Sequence, residues 1–162
     1  MGMPEKIQCE YFLLPVNRRW WHYHQMFTLH PQLATDTLEI ATWDLSRVRL
    51  MKDANYPWLI LIPARDSLTG IHQLSAADAT TLMSEISHVS RVLDMIYTPA
   101  RINVAALGNV VPQLHIHVIA RFEHDPAWPG PVWGAVSTKD YGDKDLQRTA
   151  ATIKEALMDH AP

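Results

Sequence analysis

Strict alternation of polar and apolar residues from Gln113 to Ile119 constrains the fold of this chain more than any other feature. Because successive side chains of a β-strand point to opposite faces, the alternation places Gln113, His115 and His117 on one face. The apolar residues between them occupy the other face, which is the one that folding requires. Three nitrogen-bearing side chains in a row along a strand therefore predict a functional site.

The composition is typical of one globular domain. The chain has 162 residues, 48% of them hydrophobic, which is enough to bury a core without disulfides. Its single cysteine, Cys9, cannot pair within the chain, and no stretch of about 18 uncharged apolar residues could span a bilayer. The formal net charge of −3 argues against nucleic acid as a partner, because nucleic-acid-binding domains usually carry a basic patch. With no targeting segment recognised, we expect a single cytoplasmic domain over residues 1–162 with no membrane partner.

Hydrophobic patterning predicts five strands. Two hairpins and one strand buried on both faces account for them, at residues 37–44, 47–51, 58–62, 102–106 and 114–120. The first hairpin turns at Leu45-Ser46, and the second is predicted to turn tightly at Gly108-Asn109 before the histidine-bearing strand. The central strand reads Trp-Leu-Ile-Leu-Ile and ends at Pro63.

Helical spacing of apolar residues predicts two principal helices. Ser75, with Asp78 three residues later, is a variant of the capping box. The apolar residues that follow have helical spacing: Leu82, Ile86, Val89, Leu93 and Ile96. A second amphipathic helix is predicted over about 144–160, and the first thirty residues show no clean period. A helix placed between hairpins favours an α+β fold with a mainly antiparallel sheet.

The residues around the histidine pair resemble the signature of the histidine triad superfamily. That signature is an Asn, a Gly-Gln turn and His-φ-His-φ-His, where φ is apolar. It is similar here to Asn103-Val104, Gly108-Asn109-Val110-Val111-Pro112 and Gln113-Leu114-His115-Ile116-His117-Val118. The likeness covers about residues 37–130, where Ala127-Trp128-Pro129-Gly130 resembles the Trp-Pro-Pro-Gly tail of the nucleoside phosphoramidase branch. The block 108–134 is also similar to bacterial histidine triad hydrolases described as diadenosine tetraphosphate hydrolase-like proteins.

This resemblance implies a fold and an activity. The implied fold is a five-stranded mainly antiparallel sheet with two principal helices, and two such protomers commonly pair into a homodimer. The implied activity is hydrolysis or nucleotidyl transfer at the α-phosphorus of a nucleotide conjugate, either a dinucleoside polyphosphate or a nucleoside phosphoramidate. His115 would be the nucleophile, and His117 would donate to phosphate oxygens or the leaving group. The small-molecule partner is then a nucleotide; no cofactor is expected, beyond a divalent cation that a polyphosphate substrate would bring.

The resemblance also assigns residues that bind the substrate. Gly108 and Asn109 would supply donors to a phosphate, Asn103 would bind phosphate or orient the site, and Asp53 would accept from ribose hydroxyls. Gln113 stands where the family has its first histidine. It can donate a hydrogen bond but cannot carry a proton at neutral pH, so leaving-group protonation is expected to suffer.

Several of these residues also have a purely structural interpretation. Asp53 can equally form the turn before Asn55 and Pro57. Trp128 and Trp133 are interpreted as core or interface residues, and Arg121 as a solvated residue at a strand end. The spacing of His22-Tyr23-His24 repeats that of the pair without its context, so it is assigned to structure or surface.

Two other functions remain open on the sequence. In the first, His115, His117 and His124 bind Zn²⁺ with Asp125 or Glu123 as a fourth ligand. In the second, the chain is a nucleotide-binding module whose catalysis is impaired by Gln113.

Overall fold

An antiparallel sheet forms the centre of the molecule. The computed structural model describes residues 27–159, and within that range five strands form one sheet. The strands are β1 Thr37–Thr42, β2 Ser46–Met51, β3 Trp58–Pro63, β4 Arg101–Ala105 and β5 Ile116–Arg121. Their order in the sheet is β1-β2-β3-β5-β4, and every neighbouring pair is antiparallel. The predicted α+β class and antiparallel sheet are confirmed, and β5 lies between two other strands.

Helices α1 Pro31–Asp36, α2 Ala76–Tyr97 and α3 Asp143–Asp159 complete the described part of the chain. Helix α2 begins as predicted, because the Ser75 hydroxyl accepts from the Asp78 amide at 3.0 Å. It ends at Tyr97, and the C-cap residue Thr98 adopts the left-handed conformation with φ 46°. Helix α1 was not predicted, since six residues are too short to show an apolar stripe. None of the helices in residues 27–159 has both the length and the apolar character needed to cross a membrane.

Both faces of the central strands are buried. On one face, β3 and β5 pack against α2 through alternate residues that include Leu59, Leu61 and Val118, and α3 packs against α2 and β1 in the same apolar cluster. On the other face, a second apolar cluster contains Leu33, Tyr56, Trp58, Ile60, Ile62, Val111, Ile119 and Val132. Each fully buried apolar side chain stabilises the fold by about 1.5–3 kcal/mol. Continuous apolar runs in β3 and β5 therefore follow from burial on two sides.

The two strands of the second predicted hairpin pair as expected, but the prediction of a tight turn between them is wrong. Strand β4 ends at Ala105 and β5 begins at Ile116, so residues 106–115 connect them in place of a tight Gly108-Asn109 turn. Pro112 cannot donate to a ladder, and the Leu114 amide donates instead to the Leu68 carbonyl at 2.8 Å. Residues 113–115 consequently precede the strand.

Candidate active site

Two buried histidines lie on the sheet face opposite α2 and α3. His115 immediately precedes β5 and is 6% exposed, and His117, the second residue of β5, is 4% exposed. Their ring centroids are 4.8 Å apart with an interplanar angle of 75°. The predicted face is therefore present, but its histidines are buried beside an apolar cluster.

The backbone fixes the tautomer of His115. Its Nδ1 lies 2.7 Å from the carbonyl oxygen of Gln113. Because a carbonyl oxygen can only accept, Nδ1 must carry the proton in this contact. In neutral His115 the lone pair then resides on Nε2, which is the arrangement that a nucleophilic imidazole needs.

A tryptophan fixes the opposite tautomer in His117. The Nε1–H of Trp58 donates to Nδ1 of His117 at 3.0 Å, and an indole nitrogen is only a donor. Nε2 of His117 therefore carries the proton. Burial, with a smaller contribution from neighbouring His115, lowers the pKa of His117 from 6.5 to about 3. Near neutral pH this ring is an uncharged hydrogen-bond donor.

Trp133 completes the packing around His117. The two ring centroids are 5.3 Å apart, and Trp133 stands perpendicular to Trp58 at 5.9 Å. The ring of His117 is therefore held by two tryptophans, and the structural interpretation of Trp133 is supported. Trp133 also lines a cleft of about 370 Å³ together with Trp58 and Asp53.

The side chain of Gln113 bonds to the segment before α1. Its Oε1 accepts from the His30 amide at 2.9 Å, and its Nε2 donates to the Thr28 carbonyl at 3.0 Å. Both functional groups of the amide are thus used to hold residues 28–30. Gln113 contributes to the histidine pair through its backbone carbonyl, which orients His115.

Arg121 is the centre of a buried polar network, so its interpretation as a solvated residue is wrong. It is 1% exposed and bonds Asp125 through two nitrogens, at 2.8 and 3.0 Å. Its Nη1 donates to the side-chain oxygen of Asn103 at 2.9 Å, which orients that amide. The guanidinium carbon of Arg121 lies 5.8 Å from the ring centroid of Trp128. This contact supports a structural role for Trp128.

Asp125 is held as a carboxylate by this network. Burial by itself would raise the pKa of Asp125, but hydrogen bonds from Arg121 and from the amides of Phe122 and Ala127 outweigh it and lower the pKa. The loop after β5 is therefore tied to the sheet. The spacing of Arg and Asp four residues apart at the end of a strand was the available sequence signal.

The remaining predicted binding residues lie in two loops. Gly108 lines a cleft of about 510 Å³ with His115, and Asn109 is exposed beside it. Asp53 is buried, and its Oδ1 accepts from the amides of Asn55 at 3.0 Å and Lys139 at 3.1 Å. Asp53 is therefore a turn-former in the structure, and it is also one of the residues that line the 370 Å³ cleft.

The zinc alternative is not supported by the arrangement of its ligands. Across residues 27–159, no group of three or more His, Cys, Asp or Glu side chains is placed to hold a metal ion. Asp125 is bonded to Arg121, and the ring of His124 lies 5.3 Å from that of Phe122. His22 and His24 lie outside the described residues.

The sheet order and the buried His-x-His pair define a domain of the histidine triad class. A sequence profile described as HIT domain matches residues 14–124, and no match was found among curated proteins. The chain therefore belongs to the HIT domain family. Members of this family bind nucleotides and are generally hydrolases or transferases.

Solved structures of bacterial histidine triad proteins are similar to this chain. One from Bradyrhizobium japonicum is 42% identical, with a TM-score of 0.79 over 82% of this chain and 98% of that chain. One from Sinorhizobium meliloti is also 42% identical, with a TM-score of 0.78 over 81% and 97%. A third, from Marinobacter aquaeolei, is 39% identical, with a TM-score of 0.80 over 84% and 99%.

Proposed function

We propose that this protein is a nucleotide hydrolase or nucleotidyl transferase that cleaves at the α-phosphorus of a nucleotide conjugate through a nucleotidyl intermediate on His115. The observation that carries the proposal is the 2.7 Å contact between Nδ1 of His115 and the Gln113 carbonyl. It leaves the lone pair of neutral His115 on Nε2, next to a cleft.

The proposed reaction has two displacements at phosphorus. Nε2 of His115 attacks the α-phosphorus and the bond to the leaving group breaks, giving a positively charged nucleotidyl-imidazole. The Gln113 carbonyl stabilises that charge through the Nδ1 proton. Water then displaces Nε2 and releases the nucleoside monophosphate. His117 donates its Nε2 proton in a hydrogen bond to a phosphate oxygen and remains neutral throughout.

Different residues would bind the nucleoside and the phosphate of the substrate. The 370 Å³ cleft, with Asp53, Trp58 and Trp133 on its walls, would take the nucleoside, whose ribose hydroxyls would donate to Asp53. Gly108, Asn109 and the oriented amide of Asn103 would contact phosphate. We propose a dinucleoside polyphosphate such as diadenosine tetraphosphate, or a nucleoside phosphoramidate, as substrate. The chemistry needs no cofactor, and a divalent cation would enter only with a polyphosphate.

We also propose that the protein acts as a homodimer in the cytoplasm. Among the described strands, β4 has a neighbour on one side only, and hydrophobic residues are exposed near it: Met95, Val104 and Val110. An unpaired edge with apolar neighbours is a surface that a second copy can extend. Light scattering should give twice the monomer mass, and Val104→Lys should reduce it to the monomer mass. A monomeric wild-type protein at micromolar concentration would contradict the dimer.

The activity test uses adenosine phosphoramidate, diadenosine tetraphosphate and AMP–amino-acid conjugates with the purified protein. We expect release of AMP and a transient nucleotidyl adduct on His115, trapped without acid and located by mass spectrometry. His115→Ala should lower turnover by at least about 10³-fold while nucleotide affinity stays within about tenfold, because the nucleophile acts mainly in the transition state. Equal turnover in that variant would refute the mechanism.

One observation favours a second candidate, a nucleotide-binding module with impaired catalysis. The amide of Gln113 is used to hold residues 28–30 and offers no proton to a leaving group. This candidate predicts that AMP binds, by calorimetry, without turnover or adduct, and that Gln113→His creates activity. If Gln113→His lowers an existing turnover, the binding-module candidate is wrong.

A further inference from the structure

A third histidine lines the cleft beside His115. The 510 Å³ cleft has residues 69–72 on its wall, including exposed His72, together with residues 106–108 and 114–115. Among the described residues that line it, His72 and His115 are the titratable side chains. These described walls carry no Asp, Glu, Lys or Arg side chain, so His72 is the charged or ionisable group beside His115 that a bound molecule would meet.

His72 lies in a short 3-10 helix, Ile71–Gln73, and this segment is fixed to the backbone next to His115. The side-chain oxygen of Gln73 accepts from the Thr69 amide at 2.7 Å, the Thr69 hydroxyl at 3.1 Å and the Gly70 amide at 3.0 Å. The Leu114 amide, one residue before His115, donates to the carbonyl of Leu68 at 2.8 Å. Three converging bonds and this link hold the wall of the cleft in place.

Gly70 provides the space in which the ring of His72 rests. A Cβ at Gly70 would lie 2.6 Å from Cε1 and 2.7 Å from Nδ1 of His72, which is closer than real Cβ contacts. The φ of Gly70 is −152°, an extended conformation open to any residue, so its role here is spatial. An added side chain at this position would displace the imidazole.

The other described residues of the site that could donate a proton have different roles. His115 is the proposed nucleophile, the Nδ1 of His117 is occupied by the Trp58 donor, and the amide of Gln113 holds residues 28–30. A leaving amine or alkoxide departs from phosphorus readily only when it receives a proton. Imidazole is the side chain that exchanges a proton near neutral pH.

We propose that the 510 Å³ cleft binds the leaving group and that His72 is the residue that protonates it. The proposal rests on the proposed function and identifies the substrate class as nucleotide conjugates with a basic leaving group, such as nucleoside phosphoramidates of amines. His72 replaces the acid that Gln113 cannot supply.

The proton and electron pairs balance over the two steps. As the Nε2–phosphorus bond forms, the phosphorus–nitrogen bond breaks, and its electron pair takes the proton of the His72 imidazolium to give the free amine. In the second step, neutral His72 takes a proton from water as that oxygen bonds to phosphorus. The Nε2–phosphorus bond then breaks, which restores His115 and the His72 imidazolium.

The test compares two substrates that differ in their need for a proton. One is an AMP phosphoramidate of a primary amine, and the other is the 4-nitrophenyl ester of AMP, whose phenolate leaves unprotonated. We expect His72→Gln to lower kcat/KM for the phosphoramidate by about 10²–10⁴-fold and for the ester by less than about threefold. His124→Gln, at an exposed histidine away from the cleft, is the matched control and should change neither rate.

A second variant tests whether the position of the imidazole matters. Gly70→Ala, which moves the ring but keeps the imidazole, should also slow the phosphoramidate selectively, and it replaces His72→Gln if that variant fails to fold.

Each outcome decides the inference. A selective loss on the phosphoramidate supports it, whereas equal losses on both substrates, or none, overturn it while the proposed function stands. If the wild type cleaves neither substrate and forms no adduct on His115, the proposed function fails and the role of His72 fails with it.

Discussion

The buried state of His117 should make the stability of this protein depend on pH, and the effect can be isolated by His117→Gln. In the unfolded chain a histidine has an ordinary pKa of about 6.5, whereas in the fold the pKa of His117 is lowered to about 3. Below pH 6.5 the unfolded chain therefore takes up a proton that the folded chain does not. The contribution to the free energy of unfolding is complete above pH 6.5 and is lost as the pH falls toward 3.

The magnitude follows from the two pKa values. Between pH 6.5 and pH 5 the unfolded chain binds about one proton more than the folded chain, which lowers the free energy of unfolding by about 1.36 kcal/mol per pH unit, or about 2 kcal/mol over 1.5 units. For a chain of this size that corresponds to about 4–8 °C in Tm. A Gln at position 117 does not titrate, and its side-chain oxygen can accept from Nε1 of Trp58.

The assay is urea unfolding of the wild type and His117→Gln at pH 7.5 and pH 5. The carboxyl groups titrate in both proteins, so their effect on the free energy of unfolding cancels in the comparison. We expect the drop in free energy of unfolding between the two pH values to be about 2 kcal/mol smaller in the variant. His124→Gln, at an exposed position, should show the wild-type drop. Equal drops in the wild type and His117→Gln would refute the assignment of a neutral, buried ring.

Three further predictions concern stability. Asp125→Asn leaves the guanidinium of Arg121 buried without its charge partner and should lower the free energy of unfolding by about 3–5 kcal/mol in urea melts; a loss under 1 kcal/mol would contradict the buried pair. Burial raises the pKa of Glu85, whose Oε2 has no hydrogen-bond partner within residues 27–159. Glu85→Gln should therefore raise stability at pH 8 by about 1 kcal/mol, and a destabilised variant would show that the carboxylate is needed. Gln113→Ala should speed cleavage near residues 28–30 in limited proteolysis, because it removes both bonds to that segment; an unchanged rate would show that other contacts hold it.

Features that depend on short stretches of chain were predictable from the sequence. The Ser75 cap and the apolar stripe after it define α2 within a few residues, and the alternation from residue 37 onward defines the first hairpin. The first strand ends at Thr42, two residues before its predicted end, because the turn is closed by the Trp43 amide donating to the Ser46 carbonyl. Helix α3 begins at Asp143, one residue before its predicted start, since its apolar stripe is local; its predicted last residue lies outside the described residues.

Features that depend on distant partners were not predictable. Gln113 bonds residues that lie 83 and 85 positions away, so no local pattern could show that its amide is occupied. Arg121 ends a strand and has the appearance of a solvated residue until the loop after β5 folds back to place Asp125 against it. The connection before β5 contains Gly108-Asn109, a pair typical of tight turns. The connection does not close tightly there, and the Leu114 amide near its end donates to the carbonyl of Leu68.

The histidine pair shows where sequence reasoning about the site ends. His115 and His117 are two residues apart, have the same type of side chain and face the same side of the sheet, yet they carry their protons on different nitrogens. The difference arises from the neighbour of each Nδ1: a carbonyl oxygen that accepts, two residues before His115, and an indole that donates, 59 residues before His117. An acceptor at Nδ1 leaves the lone pair of the neutral ring on Nε2, and a donor at Nδ1 leaves the proton on Nε2. Alternation alone therefore locates the candidate site, whereas the register of β3 against β5, which sets Trp58 beside His117, distinguishes the proposed nucleophile from the proposed hydrogen-bond donor.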